Sequence, residues 1–191
     1  MILLIDNYDS FSYNLYQLIG VFDKNIVIIR NDEKTIEEIN NMRPELIIIS
    51  PGAGKPKDAG VCIEVVKYFK GKIPMFGVCL GHQVICEAYG SMVTYSKELM
   101  HGKTSIVNIK KGSKLFQNLG QRISVGRYHS LAVDNKKVPE ELIVTAVTED
   151  GEVMAVEDNK NKIYGVQFHP ESILTKEGYK IISNLLEQLG I

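Results

Sequence analysis

Short apolar runs alternate with amphipathic stretches through the first half of the chain. Strands are predicted over residues 2–5, 26–29, 46–49 and 73–78, and helices from Ser10 to about residue 18 and over about 35–42, 61–69 and 83–89. Ser10 is the predicted N-cap of the first helix. Strands this short, apolar on both faces and joined by helices, are typical of a parallel sheet covered on each side. The pattern therefore predicts an α/β fold, an open, mostly parallel sheet with helices on both faces.

The second half has a different pattern, with shorter alternating runs over 105–109, 123–125, 142–147 and 153–156. Turn pairs such as Lys111-Gly112 and Asp150-Gly151 separate them. This pattern predicts a small antiparallel C-terminal lobe packed on the main sheet. A further buried strand over 163–168 ends at His169, and a final helix is predicted over 176–189. No repeat or flexible linker interrupts the chain, so we expect one domain over residues 1–191.

Composition narrows the function classes. The chain is 45% hydrophobic and 24% charged, with a net charge of −1, which gives no reason to expect nucleic acid or an anionic membrane as a partner. Asp6 and Asp9 interrupt the first apolar run, so no signal peptide or membrane span is expected. Three cysteines without metal-ligand spacing favour a reducing cytoplasm and indicate neither a metal site nor a cofactor.

The most informative segment places a cysteine between two glycines. Cys79 follows an apolar run, with Gly77 two residues before it and Gly81 two residues after it, and a helix-compatible stretch comes next. This is the thiol form of the Gly-x-Ser-x-Gly nucleophile elbow, a sharp strand-to-helix turn. Such a turn presents the sulfur at a helix N-terminus, where backbone N–H groups and the helix dipole favour the reactive thiolate.

A cysteine nucleophile needs a base, and the base needs an acceptor that orients it. Among the four histidines, His169 is the best placed, because it ends an apolar strand and so shares the predicted rim with Cys79. Glu171 follows after Pro170, which stiffens the link. The predicted catalytic set is therefore Cys79, His169 and Glu171.

Oxyanion donors are also available near the elbow. The backbone N–H of Leu80 directly follows the nucleophile, which is the usual position of the first donor. A second donor can come from the glycine-rich loop Pro51-Gly52-Ala53-Gly54, where a backbone N–H can approach a ligand closely. Taken alone, this loop is equally compatible with a simple tight turn.

The other cysteines and histidines have plainer interpretations. Cys62 and Cys86 are interpreted as small buried hydrophobes, and His82 as a residue that ends or packs the elbow. His101 and His129 are interpreted as surface or subdomain-contact residues.

Residues 101–104 read His-Gly-Lys-Thr and resemble the end of a phosphate-binding loop. That loop needs a glycine at position 97, which is Lys97, so nucleotide binding by this route is rejected.

Two segments together carry a specific resemblance. Residues 76–83 read Phe-Gly-Val-Cys-Leu-Gly-His-Gln and residues 165–172 read Gly-Val-Gln-Phe-His-Pro-Glu-Ser. The pair resembles the class I glutamine amidotransferases, and the resemblance covers the whole chain. Residues 4–11, 101–105 and 127–131 are further similar to the glutaminase component of anthranilate synthase, and to the related glutaminase of aminodeoxychorismate synthase.

The resemblance implies a flavodoxin-like fold and a reaction. Cys79 would attack the side-chain amide of glutamine to give a γ-glutamyl thioester and ammonia, with His169 moving protons and Glu171 assisting. Oxyanion and glutamine contacts would come from Gly52, Ala53, Gly54, Leu80, Gln83, Ser130 and Leu131. The ammonia would pass to a separate synthase chain (component I) that aminates chorismate. The family loop commonly reads Pro-Gly-Pro-Gly, so Ala53 predicts a less rigid oxyanion loop.

Alternatives remain open at this point. The residues are also compatible with a stand-alone cysteine hydrolase or peptidase, whereas the intact set of three argues against a non-catalytic regulatory subunit. Anthranilate synthesis, a step of tryptophan biosynthesis, is the expected use of the ammonia, and aminodeoxychorismate synthesis, a step of folate biosynthesis, is the alternative. Tyr8, Phe11, Tyr13 and residues 101–103 are either partner contacts or local packing.

Overall fold

A nine-stranded β-sheet runs through the protein, in a computed structural model that describes residues 1–191. The strands of the chain, in sequence order, are β1 Ile2–Asn7, β2 Ile26–Arg30, β3 Leu46–Gly52, β4 Met75–Val78, β5 Val93–Tyr95, β6 Lys103–Ile109, β7 Arg122–Arg127, β8 Leu131–Val133, β9 Ile143–Thr148, β10 Val153–Asp158 and β11 Ile163–Val166. The spatial order in the large sheet is β2-β1-β3-β4-β11-β10-β9-β6-β7.

Five neighbouring strands, β2, β1, β3, β4 and β11, are parallel. Strands β1, β4 and β11 are buried at every position, as expected for parallel strands with helices on both faces. The predicted α/β fold is therefore confirmed. Among these five parallel strands, only the edge strand β2 is mostly half-exposed.

The antiparallel strands β10, β9, β6 and β7 continue the same sheet beyond β11. The predicted antiparallel strands are thus present, and most of them extend the main sheet. A separate two-stranded antiparallel sheet pairs β5 with β8. These two strands have three residues each, too few to give a periodic signal in the sequence.

Helices cover both faces of the sheet: α1 Ser12–Gly20, α2 Ile36–Met42, α3 Cys62–Phe69, α4 Leu80–Ala88 and α5 Gly178–Leu189. Alternate residues of β1 pack into different cores, since Leu4 lies with α1 and α5 whereas Leu3 and Ile5 lie with α2, α3 and α4. The period of two along a strand explains this division. The longest helix, α5, has 12 residues, and no helix combines the length and apolar character needed to cross a bilayer.

The predicted N-cap of the first helix is wrong. Helix α1 begins at Ser12, and its N-cap residue Phe11 makes no side-chain capping bond. The hydroxyl of Ser12 donates to Oδ1 of buried Asp6 at 2.6 Å. The carboxylate of Asp9 accepts from the N–H of Phe11 at 2.8 Å. Two aspartates therefore order the turn that leads into α1.

Candidate active site

Cys79 occupies the single residue between β4 and α4 and has a strained backbone. Its φ is 52° and its ψ is −102°, a combination that costs of order 1–3 kcal/mol for a non-glycine residue. The N–H of Cys79 donates to the carbonyl of Val166 at 2.9 Å, which ties the turn to β11. The residue is 6% exposed and is therefore almost entirely enclosed by the protein.

The two glycines beside Cys79 are required by close backbone approach. A Cβ on Gly77 would lie 2.4 Å from the carbonyl carbon and oxygen of Gly81. A Cβ on Gly81 would lie 2.1 Å from the carbonyl oxygen of Ile49 in β3. Distances this short cannot be relieved by rotating a side chain, because the opposing atoms are backbone. The turn can form only with glycine at both positions.

His169 and Glu171 follow β11, which pairs with β4 in parallel register, Val166 opposite Val78. The Nδ1 atom of His169 lies 2.7 Å from Oε1 of Glu171, and the Glu171 side chain is fully buried. Two hydrogen bonds hold the His169 backbone. Its N–H donates to the carbonyl oxygen of Gly126 at 3.0 Å, and its carbonyl oxygen accepts from Thr175 Oγ1 at 2.7 Å. The pairing of β11 with β4 and the two backbone hydrogen bonds of His169 together bring Cys79 and His169 to one rim of the sheet.

The surroundings of His169 favour its protonated form. Burial by itself lowers the pKa of His169, but the neighbouring Cys79 sulfur and the Glu171 carboxylate outweigh it and raise the pKa to about 10. With Nδ1 committed to Glu171, the second nitrogen, Nε2, makes no hydrogen bond within the protein. A thiolate at Cys79 would therefore face an imidazolium with a free N–H.

Two aromatic rings pack against the imidazole of His169. The ring centroids of Phe11 and Tyr128 lie 5.2 Å and 5.0 Å from it. Phe11, interpreted from sequence as a partner contact or local packing, thus packs locally at the site, whereas Tyr8 and Tyr13 are exposed. The rings restrict water at His169, which strengthens its interaction with nearby charges.

A cavity of about 250 Å³ opens beside Cys79. All seven residues predicted to contact the oxyanion or glutamine line it, together with Cys79, Tyr128 and His129: Gly52, Ala53, Gly54, Leu80, Gln83, Ser130 and Leu131. Drug-sized ligands occupy pockets of roughly 300–1,000 Å³, so this cavity fits a smaller molecule such as an amino acid. The individual roles of the lining residues stay predictions.

The loop predicted to hold the oxyanion, residues 51–54, is anchored by a polar cluster that sequence reasoning missed. The backbone N–H of Asn7 donates to Ser50 Oγ at 2.8 Å and its side-chain Nδ2 donates to the Ser50 carbonyl at 2.9 Å. Asn31 donates to Asn7 Oδ1 at 2.9 Å. These bonds fix the end of β3, from which Gly52 enters the pocket. The lower rigidity expected from Ala53 stays a prediction.

A second missed cluster supports the segment over residues 128–131. Nε of Arg127 donates to Nε2 of His129 at 3.0 Å, and His129 Nδ1 lies 2.8 Å from the carbonyl of Leu131. An arginine can only donate, so His129 carries its proton on Nδ1 and donates it to Leu131. Arg127 also forms a buried ion pair with Glu152. Burial, and then the charge of Arg127, lower the pKa of His129 to about 3, in accord with a neutral ring.

The remaining cysteines and histidines lie away from the pocket lining. Cys62 and Cys86 are fully buried, which confirms their interpretation as small hydrophobes, and burial raises the pKa of Cys62 to about 12. His82 is buried under the elbow, and burial lowers its pKa to about 3. His101 is exposed. No group of three or more His, Cys, Asp or Glu side chains is placed to share a metal ion.

Comparison with known proteins places the chain in a family. The family model described as glutamine amidotransferase class-I matches residues 3–189. The chain belongs to the class I glutamine amidotransferases. Among solved structures, this amidotransferase is similar to a glutamine amidotransferase from Thermotoga maritima, with a TM-score of 0.72 and 18% identity over 98% of this chain and 95% of that one. At 18% identity, this similarity shows a shared fold and nothing more.

Curated relatives resemble this amidotransferase over nearly its whole length. It is 48% identical to an aminodeoxychorismate/anthranilate synthase component 2 of Bacillus subtilis (98% of this chain, 96% of the relative). It is 46% identical to an anthranilate synthase component 2 of Pseudomonas aeruginosa (100% and 96%). Other relatives are longer, and the chain spans 32% of a bifunctional protein TrpGD of Thermotoga maritima and 52% of a multifunctional tryptophan biosynthesis protein of Pichia angusta.

Proposed function

We propose that this amidotransferase is the glutaminase component of anthranilate synthase. It would hydrolyse glutamine to glutamate and ammonia and deliver the ammonia to a synthase subunit that makes anthranilate from chorismate. The observation that carries the proposal is the strained thiol elbow at Cys79 beside the hydrogen-bonded pair His169–Glu171. The names of relatives at 46–48% identity support the choice of product.

The chemistry begins with a thiolate–imidazolium pair. The Cys79 thiolate attacks the side-chain amide carbon of glutamine, and the imidazolium of His169 gives its proton to the departing ammonia. Neutral His169 then takes a proton from water, which attacks the γ-glutamyl thioester and releases glutamate. The buried Glu171 carboxylate keeps Nδ1 protonated and stabilises the charged ring in each cycle.

Developing negative charge on the amide oxygen needs donors in both steps. Leu80 is the first residue of α4, and the first N–H groups of a helix have no acceptor within the helix. The Gly52 N–H at the end of β3 is the proposed second donor. Loss of one such donor typically costs about 3 kcal/mol of transition-state stabilisation.

The test separates glutamine use from ammonia use in the complex with the synthase subunit. Cys79→Ala is expected to abolish glutamine-dependent anthranilate formation and to leave ammonia-dependent formation unchanged. An equal loss of both would contradict the proposed role. A peptide panel run beside the glutaminase assay would detect a stand-alone cysteine hydrolase, which needs no partner.

The names of two relatives support aminodeoxychorismate synthesis as a second candidate product. The Bacillus subtilis relative carries both synthase names, and a relative in Klebsiella aerogenes, 43% identical over 98% of this chain, is an aminodeoxychorismate synthase component 2. Co-purification with each synthase, followed by identification of the aromatic product, distinguishes the two. Anthranilate alone, aminodeoxychorismate alone, or both would each assign the partner directly.

Location and organisation complete the proposal. We place the protein in the cytoplasm, where its three free cysteines would stay reduced. Residues 1–191 would act as one domain, which the continuity of the nine-stranded sheet supports. The reaction proposed here calls on no cofactor or metal from this chain.

A further inference from the structure

A buried glutamine that sequence reasoning did not single out contacts the nucleophilic sulfur. Gln167 is fully buried and is the first residue after β11. Its side-chain Nε2 lies 3.6 Å from Sγ of Cys79, within the range of N–H donation to sulfur. On its other side, Nε2 of Gln83 lies 3.0 Å from Oε1 of Gln167.

The direction of this chain of hydrogen bonds is fixed by its far end. Nε2 of Gln83 donates to the carbonyl of Leu131 at 2.9 Å, and a carbonyl oxygen can only accept. The same amide nitrogen therefore gives its second hydrogen to Oε1 of Gln167. With its oxygen so engaged, Gln167 must turn its NH₂ group toward Cys79. The opposite orientation would place two NH₂ groups against each other and an oxygen against the sulfur.

We propose that Gln167 is a positioning residue that donates a hydrogen bond to the Cys79 thiolate and ties it to the Gln83 side of the pocket. The bond holds the sulfur between the amide of Gln167 and the ring of His169. Donation to an anion is stronger than donation to a neutral thiol, so Gln167 favours the reactive form. This inference rests on the proposed function only for the identity of the substrate.

A purely structural role for Gln167 makes a different prediction. The backbone of Gln167 is already held, since its N–H donates to Met154 at 2.9 Å, and its side chain fills buried space. If filling space were its whole role, an apolar residue of similar length would leave the ionisation of the thiol unchanged. The pH dependence of thiol reactivity is therefore the deciding readout.

Two substitutions test the donor directly. Gln167→Glu keeps the shape and the acceptor for Gln83 but turns a carboxylate oxygen toward the sulfur, and Gln167→Met removes both polar groups. The matched control is Gln188→Glu, because Gln188 also donates to a glutamine side chain, Gln117 at 3.1 Å, but does so on the exposed surface.

The assay is the rate of alkylation of Cys79 by iodoacetamide as a function of pH, followed by mass spectrometry on the full chain without substrate. We expect the midpoint of the profile to rise by about one pH unit in Gln167→Met and by more in Gln167→Glu, with the control unchanged. A midpoint in folded Gln167→Met equal to that of the wild type would overturn the proposal.

A measurement on the wild type covers the case in which the variants do not fold. The side-chain ¹⁵N resonance of Gln167 should shift with pH along the alkylation profile of Cys79, whereas that of Gln188 should not. A Gln167 resonance that stays constant through the profile would refute the hydrogen bond. Neither experiment uses glutamine, so a protein that failed the glutaminase assay could still confirm or refute the hydrogen bond between Gln167 and Cys79.

Discussion

Replacing Gly81 by alanine tests the elbow with a single added methyl group. The new Cβ would lie 2.1 Å from the Ile49 carbonyl oxygen, 2.8 Å from its carbonyl carbon and 3.0 Å from its Cβ. Ile49 is fully buried in the central strand β3, so neither side can move without displacing the sheet or the turn. The substitution must therefore either strain β3 or unfold the elbow.

Two opposing effects set the expected magnitude. Gly81 lies inside α4, where alanine is better than glycine by about 1 kcal/mol in intrinsic helix propensity. Overpacking of a rigid interior typically costs about 1–3 kcal/mol and sometimes more, and here the overlap is with backbone. Because the overlap is with backbone, we take the upper end of that cost and expect a net loss of about 2 kcal/mol, a substantial part of a total stability of about 5–15 kcal/mol.

Urea unfolding measures the loss, and alkylation of Cys79 reports whether the elbow persists. The matched control is Gly20→Ala at the end of α1, where the nearest atom to the new Cβ is a flexible Ile26 methyl at 3.9 Å. That variant should be equal to the wild type or more stable by up to about 1 kcal/mol. A Gly81→Ala protein as stable as the control, with unchanged thiol reactivity, would refute the account of the turn.

Further predictions concern the ionisation of the histidines. NMR titration should give a pKa of about 10 for His169. The Cys79→Ala substitution should lower that pKa, because the sulfur is the group that raises it most. A wild-type value near 6.5 would contradict this. Glu171→Gln keeps an acceptor but removes the charge, so it should lower the same pKa by about one unit or more, whereas an unchanged titration would show that the carboxylate has no electrostatic role. Burial lowers the pKa of both His82 and His129 to about 3. Because the unfolded chain takes up these protons near pH 6.5, the two buried neutral rings favour the folded state fully only above pH 6.5. The free energy of unfolding should therefore fall on acidification toward pH 3, by up to about 1.4 kcal/mol per pH unit for each ring. Urea unfolding at pH 7 and pH 5 measures that loss, His129→Asn should reduce it, and equal wild-type stability at the two pH values would count against buried neutral rings.

The catalytic proposal could be made from sequence because its signals are local. Two glycines around Cys79 indicate a sharp turn by themselves, and the strand predicted over residues 163–168 places His169 and Glu171 just after its end. The parallel half of the sheet could also be predicted from the sequence, since its strands are continuous apolar runs. Each of these features depends on a few consecutive residues.

The supporting hydrogen bonds could not be predicted, because they join residues far apart in the chain. Gln167 meets Cys79 across 88 positions, and Asn7 meets Ser50 across 43. No periodicity or spacing connects such pairs before the strands are in register. The turn that leads into α1 is another case, since Asp6, which helps to order it by accepting from Ser12, lies on the preceding strand.

The central claim is that Cys79 forms a covalent intermediate with glutamine. Acid quenching during turnover of glutamine in the assembled complex, followed by peptide mapping, tests it most directly. The account predicts one γ-glutamyl group on the peptide containing Cys79 and none on those containing Cys62 or Cys86. Active enzyme whose Cys79 remains unmodified while another residue carries the adduct would contradict it.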